Sequence, residues 1–214
     1  MIKFKNVSKV FPNNIIALEN LNMEFNEGEV VVIKGRSGSG KSTLLSLIAA
    51  LSKPTTGELI VDTKHISKLA DHFASVYRRD NIGFIFQKYN LIADISVKEN
   101  ILLPLIPLNL SQKELDEKVE KVLTTFSISH KRDEIVKNLS GGEQQRTAIA
   151  RANIASPKII LADEPTANLD EKLSLEFITI LKEMKSQNRT IIVATHDPLF
   201  FDLDFVDRVV DFDS

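Results

Sequence analysis

Gly35-Arg36-Ser37-Gly38-Ser39-Gly40-Lys41-Ser42-Thr43 contains Gly-x4-Gly-Lys-Ser, the spacing of a phosphate-binding P-loop. Glycines at 35, 38 and 40 open backbone conformations closed to other residues, so successive N–H groups can converge on one anion. A helix starting near Lys41 adds its positive dipole end and unpaired N–H donors. Lys41 supplies a point charge for the β- and γ-phosphates, and Ser42 offers a hydroxyl to Mg²⁺. The alternative is a strand-to-helix turn that is merely glycine-rich. The β-branched run Val30-Val31-Val32-Ile33 before the loop and the amphipathic helix after it favour the nucleotide.

Three further groups could complete that chemistry. Asp163-Glu164 follows the apolar run Ile159-Ile160-Leu161-Ala162. An acid at the end of a buried strand beside a P-loop can hold Mg²⁺ through water, and Glu164 is then placed to polarise a water for in-line attack. Leu139-Ser140-Gly141-Gly142-Glu143-Gln144-Gln145 opens a helix. Ser140 and Glu143 form a capping box, but two consecutive glycines in the cap turn are not explained by it and suggest a second anion site. His196 and Gln87 each follow a strand; Gln87 taken alone is more simply a surface residue.

These residues need elements to carry them. Residues 2–7 and 17–25 read as strands, with Ile2, Phe4, Val7, Leu18, Leu21, Met23 and Phe25 facing inward. Phe11 lies in the loop between them, and its spacing alone favours a core aromatic. The P-loop helix spans about 41–51, followed by a strand over 58–62, a helix over 68–80 and a strand over 82–86. Strands alternating with helices after a P-loop predict a parallel sheet covered on both faces, with ligands at the carboxyl ends of strands. From 88 to about 157 the strand pattern gives way to helices over 96–105 and 111–126 and one from 140 to about 155. Glu114 with Lys118 and Glu117 with Lys121 read as a solvated face of the second. The apolar stretch 88–108 is either internal core or a groove for another protein's helix. A helix after Asp170 presents Leu173, Phe177, Ile180, Leu181 and Met184 to a core, and 190–195 reads as the last strand. His65, His72 and His130 read as surface residues.

Composition narrows the class. The 214 residues are 43% hydrophobic and 26% charged, ordinary for one or two compact globular domains. Twenty-seven basic against 29 acidic residues give a net charge of −2, which argues against a protein that coats nucleic acid. With no cysteine there is neither a disulfide framework nor a thiolate metal site, which fits a cytoplasmic setting. No secretion signal or membrane-spanning apolar run is expected.

Together the P-loop, Gln87, Leu139 to Gln145, Asp163-Glu164, Ala167-Asn168-Leu169-Asp170 and His196 resemble the ordered motif set of an ATP-binding cassette (ABC) ATPase across essentially the whole chain. The resemblance implies an α/β fold: a RecA-like P-loop core with an antiparallel β-subdomain (1–87 and 158–214) and an inserted helical subdomain (88–157). It also implies a homodimer closed by ATP. Each ATP would lie between one subunit's Gly35 to Thr43, Gln87, Asp163, Glu164 and His196 and the other's Ser140, Gly141, Gly142 and Glu143. By similarity Phe11 stacks on adenine, Lys41 and His196 contact the γ-phosphate, Glu164 is the base, and Asp170 is a cross-dimer contact. Mg²⁺ falls to Ser42, Gln87 and, through water, Asp163.

Within that family the chain is similar to compact bacterial ATPases of the macrolide-export, lipoprotein-release and cell-division type. Integral membrane permease subunits would dock near 88–108, with the ATPase peripheral on the cytoplasmic face of the inner membrane. Phe11 departs from the commoner tyrosine and Arg36 from the frequent proline. The chain also stops short of the usual final strand pair, with no room for a regulatory domain. An ATPase acting on nucleic acid or the ribosome is the alternative, but no coiled-coil insertion and no second cassette is visible. A non-enzymatic module predicts a missing catalytic residue, and none is missing.

Overall fold

The computed structural model describes residues 1–213. Its centre is a five-stranded parallel sheet built from β3 (Val30–Lys34), β6 (Ile82–Ile85), β7 (Ile159–Asp163), β8 (Thr190–Thr195) and β9 (Arg208–Asp211). The order across the sheet is β6-β7-β8-β3-β9. The continuous apolar runs of β3, β7 and β8 are explained by burial on both faces. Val30, Val32, Ile160, Ala162, Ile191 and Val193 point to one core; Val31, Ile33, Ile159, Leu161, Ile192 and Ala194 point to the other.

The second core is shared with helix α1 (Lys41–Ile48) and an antiparallel sheet of β1 (Ile2–Phe11), β2 (Ile15–Phe25), β4 (Thr56–Val61) and β5 (Lys64–His65), ordered β2-β1-β4-β5. Ile2, Phe4, Val7, Leu18 and Phe25 are buried there as expected, while Leu21 and Met23 are partly buried against it. The β1–β2 pairing continues to Phe11↔Ile15, well past residue 7. Register shifts after Phe4, Val7 and Lys9 break the inside-outside alternation, which is why the sequence pattern fades before the strand does.

The first core lies under the helices inserted between β6 and β7: α3 (Val97–Leu102), α4 (Gln112–Thr125) and α5 (Gly141–Asn153). Helix α6 (Glu171–Ser186), joining β7 to β8, adds Phe177, Ile178, Leu181 and Met184. The Ser140/Glu143 capping box is formed as expected, and others form at Ser96/Glu99 and Ser111/Glu114.

Several boundaries differ from the sequence reading. Helix α1 ends at Ile48: Ala50 turns with φ 49° and the Leu51 N–H returns to the Ser46 carbonyl at 2.9 Å, leaving Leu51 exposed. The helix expected over 68–80 is α2 (Asp71–Asn81), preceded by a short turn. The helix expected over 96–105 breaks after Leu102, where Pro104 removes a ladder N–H. Glu114 does not turn to Lys118. Its carboxylate accepts the Ser111 N–H at 2.8 Å and hydroxyl at 2.7 Å, while Glu117 lies 4.0 Å from Lys113. Nor is β8 the last strand, since β9 pairs in parallel with β3 through Val31↔Arg208 to Lys34↔Asp211. This short, half-exposed edge strand carries little hydrophobic signal. Within 88–108, Ile101 and Leu105 are core, whereas Ile92 and Ile106 are exposed.

Gly83 in β6 lies against the end of α5. A Cβ there would stand 2.4 Å from the Ala152 carbonyl oxygen and 2.9 Å from Pro157 Cγ. Neither neighbour is a flexible side-chain end, so Gly83→Ala is expected to destabilise the fold by about 1–3 kcal/mol, read as a lower urea midpoint at unchanged m-value.

Candidate active site

Sheet register brings the candidate residues to one edge. Lys34 pairs with Thr195 and Asp163 with Ala194, so the loops after β3, β7 and β8 leave the sheet side by side. The loop after β3 carries the P-loop. Gly38 and Gly40 take φ of 87° and 97°, and a Cβ on Gly40 would lie 2.4 Å from the Ala17 carbonyl oxygen, so this position needs glycine twice over.

Lys41, only 5% exposed, donates to the Gly35 and Arg36 carbonyls at 2.6 and 3.0 Å. Its Nζ is also 3.5 Å from Glu164 Oε1. Glu164 Oε2 accepts the Thr195 hydroxyl at 3.0 Å and the His196 N–H at 3.3 Å, with His196 Nδ1 3.0 Å away. Ser42 Oγ donates to Asp163 Oδ1 at 2.9 Å. A cavity of about 250 Å³ opens onto this cluster, lined by Ala17, Ser37 to Thr43, Gln87, Glu164 and His196.

Asp163 holds its proton more tightly than an ordinary aspartate. Burial is the main cause and the Glu164 charge adds to it, against the Ser42 hydrogen bond and the Lys41 charge. A hydroxyl and a half-buried carboxylate short of positive charge form a hard-oxygen pair. They fit Mg²⁺ carried by a nucleotide, which needs only one or two protein oxygens. Among the described residues no cluster of three or more His, Cys, Asp or Glu could cage a metal by itself.

Other expected residues lie apart from this cavity. Phe11 is 39% exposed at the end of β1 and is not a core aromatic; Lys9 Nζ stands 5.0 Å from its ring centroid. Ser140 caps α5, its N–H donating to Glu143 Oε2 at 2.8 Å. That bond, with the Ser140 hydroxyl and Lys131, holds the Glu143 carboxyl below its usual range. Gly141 is exposed and Gly142 is packed on Leu173. Asp170 caps α6 by accepting the Leu173 N–H at 2.9 Å.

Sequence reasoning missed Thr195, whose only signal was its place before His196, and gave no role to Asn168, quoted only within the 167–170 motif, whose side chain donates to the Gln87 carbonyl at 2.9 Å. It also missed Asp213, which accepts the Arg36 N–H at 3.0 and 2.9 Å.

Residues 18–167 match the family model described as ABC transporter. The chain belongs to this family. The matched span holds the P-loop, Gln87, Ser140 to Glu143, Asp163 and Glu164, and ends before His196. Over 198 residues the chain is 41% identical to the macrolide export ATP-binding/permease protein MacB of Campylobacter jejuni, which covers 92% of this chain and 31% of MacB. The chain therefore spans about a third of that relative's length. Against the lipoprotein-releasing system ATP-binding protein LolD of Wigglesworthia glossinidia brevipalpis it is 41% identical, covering 92% of this chain and 88% of LolD. The dimeric structure of the ABC transporter cassette MJ0796, a protein of Methanocaldococcus jannaschii, superimposes with a TM-score of 0.90 at 39% identity, covering 99% of this chain and 95% of that one. A second dimeric structure of MJ0796, in a post-hydrolysis state with ADP and Pi, matches with a TM-score of 0.86. The expected ABC ATPase fold is the one observed.

Because folding raises the Asp163 pKa above 3.8, the folded ABC cassette takes up a proton between that value and the raised one, and stability falls as pH rises through this window. Asp163→Asn is therefore expected to be more stable than the wild type at pH 7 in chelator without nucleotide. The gap should narrow toward pH 4 in chemical denaturation; a pH-independent gap would contradict the assignment.

Proposed function

We propose that the chain is the ATP-binding and ATP-hydrolysing subunit of a membrane transporter or mechanotransmission complex. The observation that carries this reading is the convergence of Lys41, Ser42, Glu164 and His196 on one cavity at the carboxyl edge of the parallel sheet, with Asp163 hydrogen-bonded to Ser42 at its margin. The P-loop N–H groups of Gly35 to Thr43 would hold the β-phosphate, with Lys41 bridging to the γ-phosphate. Mg²⁺, held by Ser42, Gln87 and through water Asp163, would neutralise charge on the phosphates. Glu164 takes the proton of the attacking water, and His196 contacts the γ-phosphate and orients the Glu164 carboxylate.

Ser140, Gly141, Gly142 and Glu143 would serve the ATP of a second copy, since they lie at the start of α5 away from their own cavity. ATP then closes a homodimer and hydrolysis reopens it, a two-state element driven by differential contacts to ATP and ADP. Asp170 would contact the partner. Residues 1–87 and 158–214 act as the ATP-binding core, and 88–157 as the helical arm carrying Ser140.

The permease subunits would dock in the groove of about 250 Å³ between that arm and the core, lined by Arg78, Arg79, Phe84, Phe86, Asn90 and Pro104. The exposed Ile92 and Ile106 lie within the 88–108 stretch that supplies Asn90 and Pro104. Among the described residues no helix is long and apolar enough to cross a membrane, so attachment to the cytoplasmic face of the inner membrane would come through the permease. Names of the relatives support this over action on nucleic acid, as MacB is a macrolide export ATP-binding/permease protein and LolD a lipoprotein-releasing system ATP-binding protein.

Glu164→Gln is expected to lower turnover by about 10²–10⁴-fold while keeping ATP binding and giving a stable ATP-dependent dimer in size-exclusion chromatography. Turnover at the wild-type rate would refute Glu164 as base. Phe11→Ala is expected to lose about 1–3 kcal/mol of adenine stacking, raising KM for ATP roughly 5- to 150-fold with kcat nearly unchanged.

A further inference from the structure

Glu164 sits in an uncommon backbone conformation, φ 44°, at the sharp turn between β7 and α6. A non-glycine residue keeps such a conformation only when its surroundings hold it there. The Glu164 N–H is tied to the Ala194 carbonyl at 2.8 Å, and its carbonyl accepts the Ala167 N–H at 3.2 Å. The next carbonyl, that of Pro165, is met from outside the turn. Gln145 Nε2 reaches it from α5 at 2.7 Å, and Gln145 is only 3% exposed.

A buried amide donor is costly to strand, so this bond fixes where α5 and the turn sit relative to one another. Helix α5 is also the helix whose first residues are Ser140-Gly141-Gly142, little more than one turn before Gln145. We propose that Gln145 is a positioning residue for Glu164, holding the carboxylate of its own subunit in place through the Pro165 carbonyl. The inference rests on the ATPase reading above. It adds that the helix facing the partner's nucleotide is hydrogen-bonded to the catalytic turn of its own subunit, so displacement of α5 at one ATP reaches the base at the other.

The test is a double-mutant cycle of full-length chains. Gln145→Leu keeps much of the bulk in a shorter side chain and Gln145→Met keeps the length, and neither can donate to Pro165; two shapes guard against one failing to fold, with thermal denaturation as the control. Each is expected to lower kcat about 10- to 100-fold, the scale of a small misplacement of a catalytic group, with KM for ATP within about twofold of the wild type. In the Glu164→Gln background the same change should alter residual single-turnover hydrolysis by less than about twofold, and ATP-dependent dimers should persist, because there is no longer a base to misplace. Equal fold-losses in both backgrounds, or full activity in Gln145→Leu or Gln145→Met, would overturn the role of Gln145. A wild-type rate in Glu164→Gln alone would instead overturn the base assignment, so the two failures are told apart.

Discussion

Parallel pairing of β3, β7 and β8 is the constraint on which everything else depends. Each strand is apolar on both faces along its length, so the polar residues of the site come at its last paired position or beyond it at the carboxyl end. Neighbouring parallel strands lie about 4.8 Å apart, so the loops after three adjacent strands leave side by side, and Lys41 and His196 both come to Glu164, at 3.5 and 3.0 Å. A shift of one residue in any pairing would exchange the side chains a strand presents to the two cores and move the loop after it by more than 3 Å. Core packing and site geometry are thus set by the same register.

Electrostatics then decide how the loops rest. Lys41 is almost fully buried, and a buried ammonium must find acceptors; it has two P-loop carbonyls and, at longer range, Glu164. Glu164 is shared between this cation, the Thr195 hydroxyl and the His196 backbone and ring. Asp163 carries the opposite imbalance, with too little positive charge nearby for its burial. This arrangement would suit a ligand that brings anionic phosphate to the lysine side and a cation to the aspartate side. A magnesium nucleotide has that polarity.

The inserted helices connect this chemistry to the outside of the molecule. Helix α5 packs its middle into the core, exposes Gly141 at its start and ends against Gly83 of β6. Near that end Arg151 donates to the Tyr89 and Asn90 carbonyls at 2.7 and 2.6 Å, just after Gln87. One rigid element therefore touches the loop after β6 through Arg151 and the turn after β7 through Gln145. The bond to Pro165 is buried and that to Tyr89 half-buried, so their loss would leave groups unsatisfied.

Much of this was legible in the chain. The P-loop, the acidic pair after an apolar strand and the Ser-Gly-Gly cap carry local rules of backbone and charge that hold wherever they fold, and the motif order marked the family before any contact was known. Buried strands and capped helices were visible for the same reason, since period and caps are properties of neighbours in sequence. What lay between them was not. The extension of β1 and β2 past their bulges, the short edge strand β9, and the turn at Ala50 that expels Leu51 each depend on partners far along the chain. The same holds for Thr195 on Glu164, Asn168 on Gln87, Asp213 on Arg36 and Gln145 on Pro165: a single threonine, asparagine or glutamine has no periodicity to read. Sequence by itself determined which chemistry the chain carries, because that follows from residue types at fixed local spacing. Only the tertiary structure decided which polar groups hold that chemistry in place, because buried donors and acceptors find partners by proximity in space.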